Sequence, residues 1–321
     1  MYQSVLGAVL SVFLFLSGAT VWAQTYPARP ITLIVGYGAG GSTDLAARLV
    51  ASHMEKTLGQ PIIIENKLGG NGAVGTRSVF LAKPDGYTIG MTSGSILTVL
   101  PYTMDVGFDP LKLTFIGSTH ESYYAIWVRA DSRYKTVQDL AAYAKANPDK
   151  VVSANSGGFG IPDIAMAQLA QANGGFTYRT VPTSGGAEQV LKLLAGDVEV
   201  QANSATPTLS HMREGKIRPV LVVSTSWPEL EKLGVPLSSK LYGFTARNLS
   251  SIVGPPDLPE PIRQKLEDAL KKAMDDPAIH ERLVNTGELI EFKTGKQIKD
   301  DATKAQADQY LVAKQLGKAI K

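Results

Sequence analysis

Nine residues, Gly36-Tyr37-Gly38-Ala39-Gly40-Gly41-Ser42-Thr43-Asp44, separate a β-branched run from an apolar-periodic segment and constrain the topology around them. Ile31-Thr32-Leu33-Ile34-Val35 reads as a strand. Leu45 to Leu58 reads as a helix with Leu45, Leu49 and Met54 or Leu58 along one face, stopped by Gly59. Gln60 to Glu65 reads as the next strand. Strand, Gly-rich loop, helix and strand make a βαβ unit, which implies a parallel sheet with the loop at a strand's carboxyl end.

The same arrangement returns along the chain. Leu68 to Gly75 is a second Gly-rich stretch before a helix that ends near Lys83-Pro84, and the strand Tyr87 to Met91 delivers Thr92-Ser93-Gly94-Ser95 to its carboxyl end. After an irregular passage, Phe108 to Phe115, comes the strand Tyr124 to Arg129. Thr136-Val137-Gln138-Asp139 resembles a capping box for a helix that stops at Asn147-Pro148. Val151 to Asn155 is a strand followed by the loop Ser156-Gly157-Gly158-Phe159-Gly160 and a helix over Ile164 to Gln171. Tyr178 to Pro182 is a strand ending in Thr183-Ser184-Gly185-Gly186-Ala187, again before a helix, and Val198 to Asn203 follows a turn. Arg218 to Val223 is the last strong strand signal. Beyond Ser250 the tail reads as mostly helical, with Ile262, Leu266, Leu270 and Met274 at amphipathic spacing. Two α/β units, roughly residues 30–124 and 125–223, thus place polar loops at strand carboxyl ends, where open α/β sheets bind ligands.

The 321 residues suffice for two domains, and 32 basic against 29 acidic residues leave no broad footprint for nucleic acid. Residues 1–23 carry no charged side chain and contain the apolar run Val9 to Leu16, which reads as a secretory leader cleaved after about Ala23. An uncleaved anchor is the alternative. Cysteine is absent, so disulfides, thiolate catalysis, Cys-ligated zinc and a lipoprotein anchor are excluded. An exported chain in the periplasm is expected.

Two ligand chemistries suit the first loop. Gly36-x-Gly38-x-x-Gly41 matches the dinucleotide fingerprint, and Glu65 stands where a ribose-binding acid would, so a dinucleotide-dependent oxidoreductase is one reading. The other is a smaller anion. Glycines allow close backbone approach, a helix start offers unpaired N–H groups, and Ser42, Thr43 and Asp44 can cap the helix while the two hydroxyls donate to a ligand oxygen. Catalytic patterns are thin. His53, His120, His211 and His280 lack metal-site spacing and read as surface or structural, and Ser132-x-x-Lys135 lies in a polar turn. The aromatic group Tyr123, Tyr124 and Trp127 reads as core or hinge packing.

Tyr26 to Val35, Gly40 to Asp44, Gly59-Gln60-Pro61, Glu65-Asn66, Gly70-Asn71-Gly72 and Pro84 to Thr88 together resemble the Bug (TctC-like) substrate-binding proteins of tripartite tricarboxylate transporters. The likeness continues through Ala144 to Pro148, Val181-Pro182 and Gly215 to Arg218, and so covers essentially the whole mature chain. It implies an α/β type II periplasmic binding protein fold, with two lobes and a ligand cleft between them. Lobe 1 would be residues 24–124 with 224–321 and lobe 2 residues 125–223. The resemblance implies no enzyme and no cofactor or metal. It implies a monomeric receptor that passes a small carboxylate to transporter membrane subunits, with a ligand-sensing partner of a signalling receptor as an alternative use.

Carried over by position, one wall would be Gly36, Tyr37, Gly38, Ala39, Gly40, Gly41, Ser42, Thr43 and Asp44 with Ser93 and Ser95. The other would be Ser156, Gly157, Gly160, Ile161, Thr183, Ser184, Gly185 and Asn203. Three departures from the family pattern fall at this cleft: Gly36-Tyr37-Gly38, Ile161-Pro162-Asp163 and Thr183. They point to a ligand other than citrate, an aromatic or short dicarboxylate.

Overall fold

The computed structural model describes residues 26–320, so the leader expected over residues 1–23 lies outside the described residues. Strand β1 (Ile31–Val35), helix α1 (Ser42–Leu58) and strand β2 (Ile62–Asn66) form the anticipated βαβ unit, with β1 and β2 parallel and Val35 opposite Asn66. Helix α2 (Ala73–Phe80) leads to β3 (Thr88–Thr92), also parallel to β1, and to the short helices α3 (Gly94–Thr98) and α4 (Leu100–Thr103). Next come β4 (Thr114–Ser122), β5 (Tyr124–Arg129), α5 (Val137–Ala146), β6 (Val152–Asn155) and α6 (Ile161–Ala172). They are followed by β7 (Arg179–Pro182), α7 (Gly186–Ala195), β8 (Val200–Ser204), α8 (Ala205–Arg213) and β9 (Ile217–Val222). The remaining elements are α9 (Pro228–Lys232), α10 (Ser238–Leu241), β10 (Asn248–Gly254), α11 (Glu260–Met274), α12 (Pro277–Asn285), β11 (Glu288–Leu289) and α13 (Gly295–Gln315).

The strands form two sheets, ordered β11-β4-β10-β3-β1-β2 and β7-β6-β8-β5-β9. Residues 114–122 and 248–254, which the sequence does not mark as strands, are β4 and β10, and they pair antiparallel inside the first sheet. Their composition explains the miss. Ser118, Thr119, His120, Glu121 and Ser122 are all buried, so an apolar alternation never appears. Each finds a polar partner instead: the Ser118 hydroxyl donates to Glu291 O (2.7 Å), that of Thr119 to Ser250 O (3.2 Å), and Arg247 grips both Glu121 oxygens (2.9 and 2.7 Å).

Helix α1 buries Met54 and Leu58 and half-buries Leu49 as expected, but not Leu45. Leu45 is 43% exposed, while Ala46, Ala47, Val50, Ala51, Met54 and Leu58 turn inward and join Leu266, Ala269, Leu270 and Ala273 of α11 in one cluster. Alanine on both helices permits close approach, and the large leucine is left outside. Residues after β9 pack on both sheets. Trp227, Leu230 and Leu237 pack with Trp127 and Leu209 against the second sheet, and the end of α13 places Val312 and Leu316 beside the cluster under its other face. The chain passes between the sheets twice, from β4 to β5 and from β9 to β10. The two passages are tied together: Tyr124 N donates to Ser224 Oγ (2.7 Å) and Val223 N to Tyr124 O (2.9 Å).

The start of α13 is fixed by lack of space. A Cβ on Gly295 would lie 2.0 Å from Phe115 O in β4, a backbone atom that cannot yield without moving the strand. Gly295→Ala is therefore expected to destabilise the protein by about 1–3 kcal/mol, as overpacking does. Thermal unfolding should show Tm falling by several degrees; an unchanged Tm would mean that the helix re-seats freely.

Candidate functional site

A small polar cavity of about 50 Å³ lies between the two sheets. It is reached by the carboxyl ends of β1, β3, β6, β7 and β8 and by the helix starts that follow them. Its lining includes Gly41, Ser42 and Thr43 from the start of α1, Pro162 from α6, Gly186 from α7 and Ser204 just before α8. Four helices of at least eight residues therefore begin at one space. The starts of α1, α7 and α8 carry no side-chain cap, whereas α5, α12 and α13, which begin elsewhere, are capped by Thr136, Asp276 and Thr294. Uncapped first-turn N–H groups together with the helix dipoles make this space attractive to an anion. Among the described residues no Lys or Arg lines it.

The first loop is shaped by Asp44, which does not reach the cavity. Its Oδ2 accepts from Gly40 N (3.0 Å) and Arg48 Nε (3.0 Å), and its Oδ1 from an Arg48 guanidinium nitrogen (2.9 Å) and Asn66 Nδ2 (2.9 Å). Burial pushes this carboxyl up, but Arg48, Asn66 and the Gly40 N–H outweigh it and hold the carboxyl below the usual range. Asp44 thus holds the loop against β2 and is not the helix cap; the N-cap is Gly41. Gly40, at φ 82°, supplies the left-handed turn, and Gly36 lies so close to Gly72 that a Cβ would meet its Cα at 2.7 Å.

Ser42 also turns away from the capping role. Its hydroxyl donates to Glu288 Oε1 (2.6 Å) and lies 3.0 Å from Ser122 Oγ and 3.1 Å from His120 Nε2. Thr206, at the start of α8, donates to the same Glu288 oxygen, so this carboxyl ties the first sheet to the second. Burial pushes Glu288 up to about 7, against the pull of Ser42, Thr206 and Ser122, and pushes buried His120 down to about 4. His120 is structural, as its lack of metal-site spacing suggests.

Of the residues singled out in the sequence, Tyr37, Gly41, Ser42, Thr43, Ser93, Ser95, Ser156 and Asn203 line the cavity. Tyr37 donates to Asn71 O (3.0 Å) and accepts from Ser93 Oγ (2.6 Å); burial holds its hydroxyl up at about 12, so it is a neutral wall. Asn203 donates to Gly186 O (2.9 Å) and so positions the start of α7. Gly38, Ser184 and Gly185 form the contact between the two walls, where Gly38 N donates to Ser184 O (2.9 Å). Gly36, Ala39, Gly40, Asp44, Gly157, Gly160 and Thr183 stand behind or beside the lining. Thr183 is engaged locally, its N–H and hydroxyl both donating to Asn155 O (2.8 and 2.7 Å). Ile161 instead faces a larger cavity of about 440 Å³ between α3, β10 and α13. Four of the charges there are paired with one another, Arg247 with Glu121 (2.7 Å) and Lys293 with Asp301 (2.8 Å).

Sequence reasoning missed Asn71, Tyr124, Gln189 and Asn248 among the lining residues. Asn71 carried a signal, since it sits among glycines and adopts φ 51°. Tyr124 and Asn248 carried none. They meet only because β5 and β10 start side by side: Asn248 Nδ2 donates to the Tyr124 hydroxyl oxygen (2.9 Å), leaving the Tyr124 O–H to donate elsewhere, while Asn248 Oδ1 accepts from Ser95 N (3.2 Å).

Two open α/β units with a ligand-sized space between facing helix starts define a two-lobed binding protein. Comparison with known proteins gives the same class. Residues 46–317 match the TctC family, described as "Tripartite tricarboxylate transporter family receptor", and the chain belongs to that family. The "UPF0065 protein in gbd 5'region" of Cupriavidus necator is 33% identical over 313 residues, covering 94% of this chain and 91% of that protein. Among solved structures, the periplasmic binding protein BugD superposes with a TM-score of 0.86 at 28% identity, covering 92% of this chain and 99% of that one. MatC from Rhodopseudomonas palustris, with bound malate, superposes at 0.84 with 25% identity, covering 89% and 99%. The fold is the α/β periplasmic binding protein fold.

The Glu288 cluster gives a signed pH dependence. A carboxyl lying near 7 in the fold, against a usual 4.5, binds more protons folded than unfolded between those values. The stability it confers is fully present below pH 4.5 and is lost as pH rises through 7. Glu288→Gln keeps an oxygen for Ser42 and Thr206 and removes the titration. The Tm difference, variant minus wild type, should therefore grow more positive between pH 4.5 and 7. A constant difference across that window would show that Glu288 does not titrate there. His120 and Asp163 are present in both proteins and cancel.

Proposed function

We propose that this protein is a non-enzymatic, extracytoplasmic receptor that closes two lobes on a short organic carboxylate and delivers it to the membrane subunits of a tripartite tricarboxylate-type transporter. The single observation that carries the reading is the meeting of uncapped helix starts at a cavity without lysine or arginine. A carboxylate would accept from the first-turn N–H groups of α1 and α7 and from the hydroxyls of Thr43 and Tyr124. Charge-assisted bonds of this kind contribute about 1.5–3 kcal/mol each, so a few of them, less the cost of ordering, reach micromolar affinity without an ion pair.

The lobe division we propose follows the sheets, with the hinge at the paired passages around Tyr123 and between Val223 and Asn248. Export to the periplasm and a monomeric state are part of the same reading; among the described residues no helix is long and apolar enough to cross a membrane. The cavity's size favours a short acid over an aromatic one, and malate in MatC is a ligand of that kind. The dinucleotide alternative finds less support. A dinucleotide far exceeds about 50 Å³, and the Gly38 N–H of the fingerprint is already given to Ser184 O.

Thermal-shift and calorimetric screening of the mature protein against mono-, di- and tricarboxylates tests this. At least one short acid should raise Tm and bind with micromolar Kd; stabilisation by none would remove the reading. Thr43→Val keeps the side chain's shape and deletes a hydroxyl with no partner among the described residues, so it should weaken that acid about tenfold or more while leaving the unliganded Tm unchanged.

A further inference from the structure

Below the main cavity is an annex of about 10 Å³. Asn71, Ser156, Pro162, Gln189 and Ala202 line both spaces, so the annex adjoins the cavity. Its volume is about that of one water-sized group. Asp163, on the first turn of α6, lines the annex and is, among the described residues, the only acidic one facing either space. The residue is 8% exposed.

The partners of Asp163 are few. Gly160 N donates to its Oδ2 (3.0 Å), and its own backbone N–H is the other donor. Among the described residues no Lys, Arg or His pairs with it. Gln189 commits its amide nitrogen to Ser156 Oγ (3.1 Å), which leaves its carbonyl oxygen as a second acceptor in the same wall. The two ends of the space therefore differ in kind. The helix starts present donors, and the annex presents acceptors around a buried acid. Burial raises that acid to about 7, the mark of a carboxylate without a compensating cation.

We propose that the ligand is a short amino-substituted carboxylic acid, its carboxylate held by the starts of α1 and α7 and its ammonium seated in the annex against Asp163. An ammonium matches the annex in size, supplies up to three donors to an acceptor-rich wall, and neutralises the one buried acid there. A plain carboxylic acid leaves Asp163 without a cation. Asp163 thus acts as a specificity residue, selecting among acids that the helix starts bind alike. This inference rests on the carboxylate reading and narrows it.

Two matched pairs test it by calorimetry: L-aspartate against succinate, and L-alanine against propionate. The members of each pair differ only by one ammonium. In the wild type the amino acid of at least one pair should bind at least tenfold more tightly than its partner. Asp163→Asn preserves an oxygen for Gly160 N, and in that variant the preference should vanish through loss of the amino acid, with the plain acid's Kd unchanged or improved. Plain acids bound as tightly as the amino acids in both wild-type pairs, or a variant weakened equally for both members, would overturn the assignment while leaving a carboxylate receptor. Failure of every acid to bind would overturn the carboxylate reading and this one together. The wild-type comparison needs no variant, and an unchanged unliganded Tm for Asp163→Asn establishes that the variant is folded.

Discussion

Asp44 is the side chain on which the site depends, although it never reaches the cavity. By accepting from Gly40, Arg48 and Asn66 at once it fixes the glycine loop against the second strand and uses up its own acceptors. Had Asp44 capped α1, it would have satisfied the N–H groups that now face the cavity. Ser42 is diverted in the same way, its hydroxyl given to Glu288. Ser42 and Asp44 are both spent on the scaffold, and the backbone is left free for an anion. This division of labour explains how the site manages without lysine or arginine: its positive potential comes from geometry.

The first βαβ unit, the Gly59 stop, the Thr136 capping box and the loops at strand ends were legible because local chemistry decides them. Glycine at a left-handed position and Thr-x-x-Asp at a helix start act within a few residues. Strands β4 and β10 were not legible, since their buried Ser, Thr, His and Glu side chains are satisfied by partners more than a hundred residues away, such as Thr119 with Ser250 and Glu121 with Arg247. The outward turn of Leu45 on α1 was missed for a related reason. Periodicity identifies a helix, but which stripe is buried depends on the neighbour, and α11 brings alanines that favour alanines.

The site shows the same division. Ser93, Ser95, Thr43 and Ser156 could be proposed from loop position, since polar residues after a strand in an α/β unit fall at one edge. Tyr124 and Asn248 could not, because their meeting requires two passages between the sheets to run side by side. Roles were harder to read than positions. Asp44 and Ser42 both lie at the first helix start, yet one shapes the loop and the other joins a buried carboxyl to a hydroxyl on the opposite side.

Contacts across the cleft are few and modest. Gly38 N donates to Ser184 O (2.9 Å), Ile161 N to Ser95 Oγ (3.1 Å), the Thr103 hydroxyl to Phe159 O (3.0 Å) and the Thr206 hydroxyl to Glu288. Neutral hydrogen bonds contribute about 0.5–1.5 kcal/mol each net of water, so a handful of them holds the walls together only weakly against the freedom gained on opening. In the proposed reading, a ligand that bridges α1 and α7 would add charge-assisted bonds to both walls simultaneously and interact with the closed arrangement alone. That differential interaction is what shifts a two-state equilibrium, so a molecule of a few heavy atoms suffices to decide the position of two lobes. In that reading, weak closure without ligand and firm closure with it follow from the same uncapped helix starts.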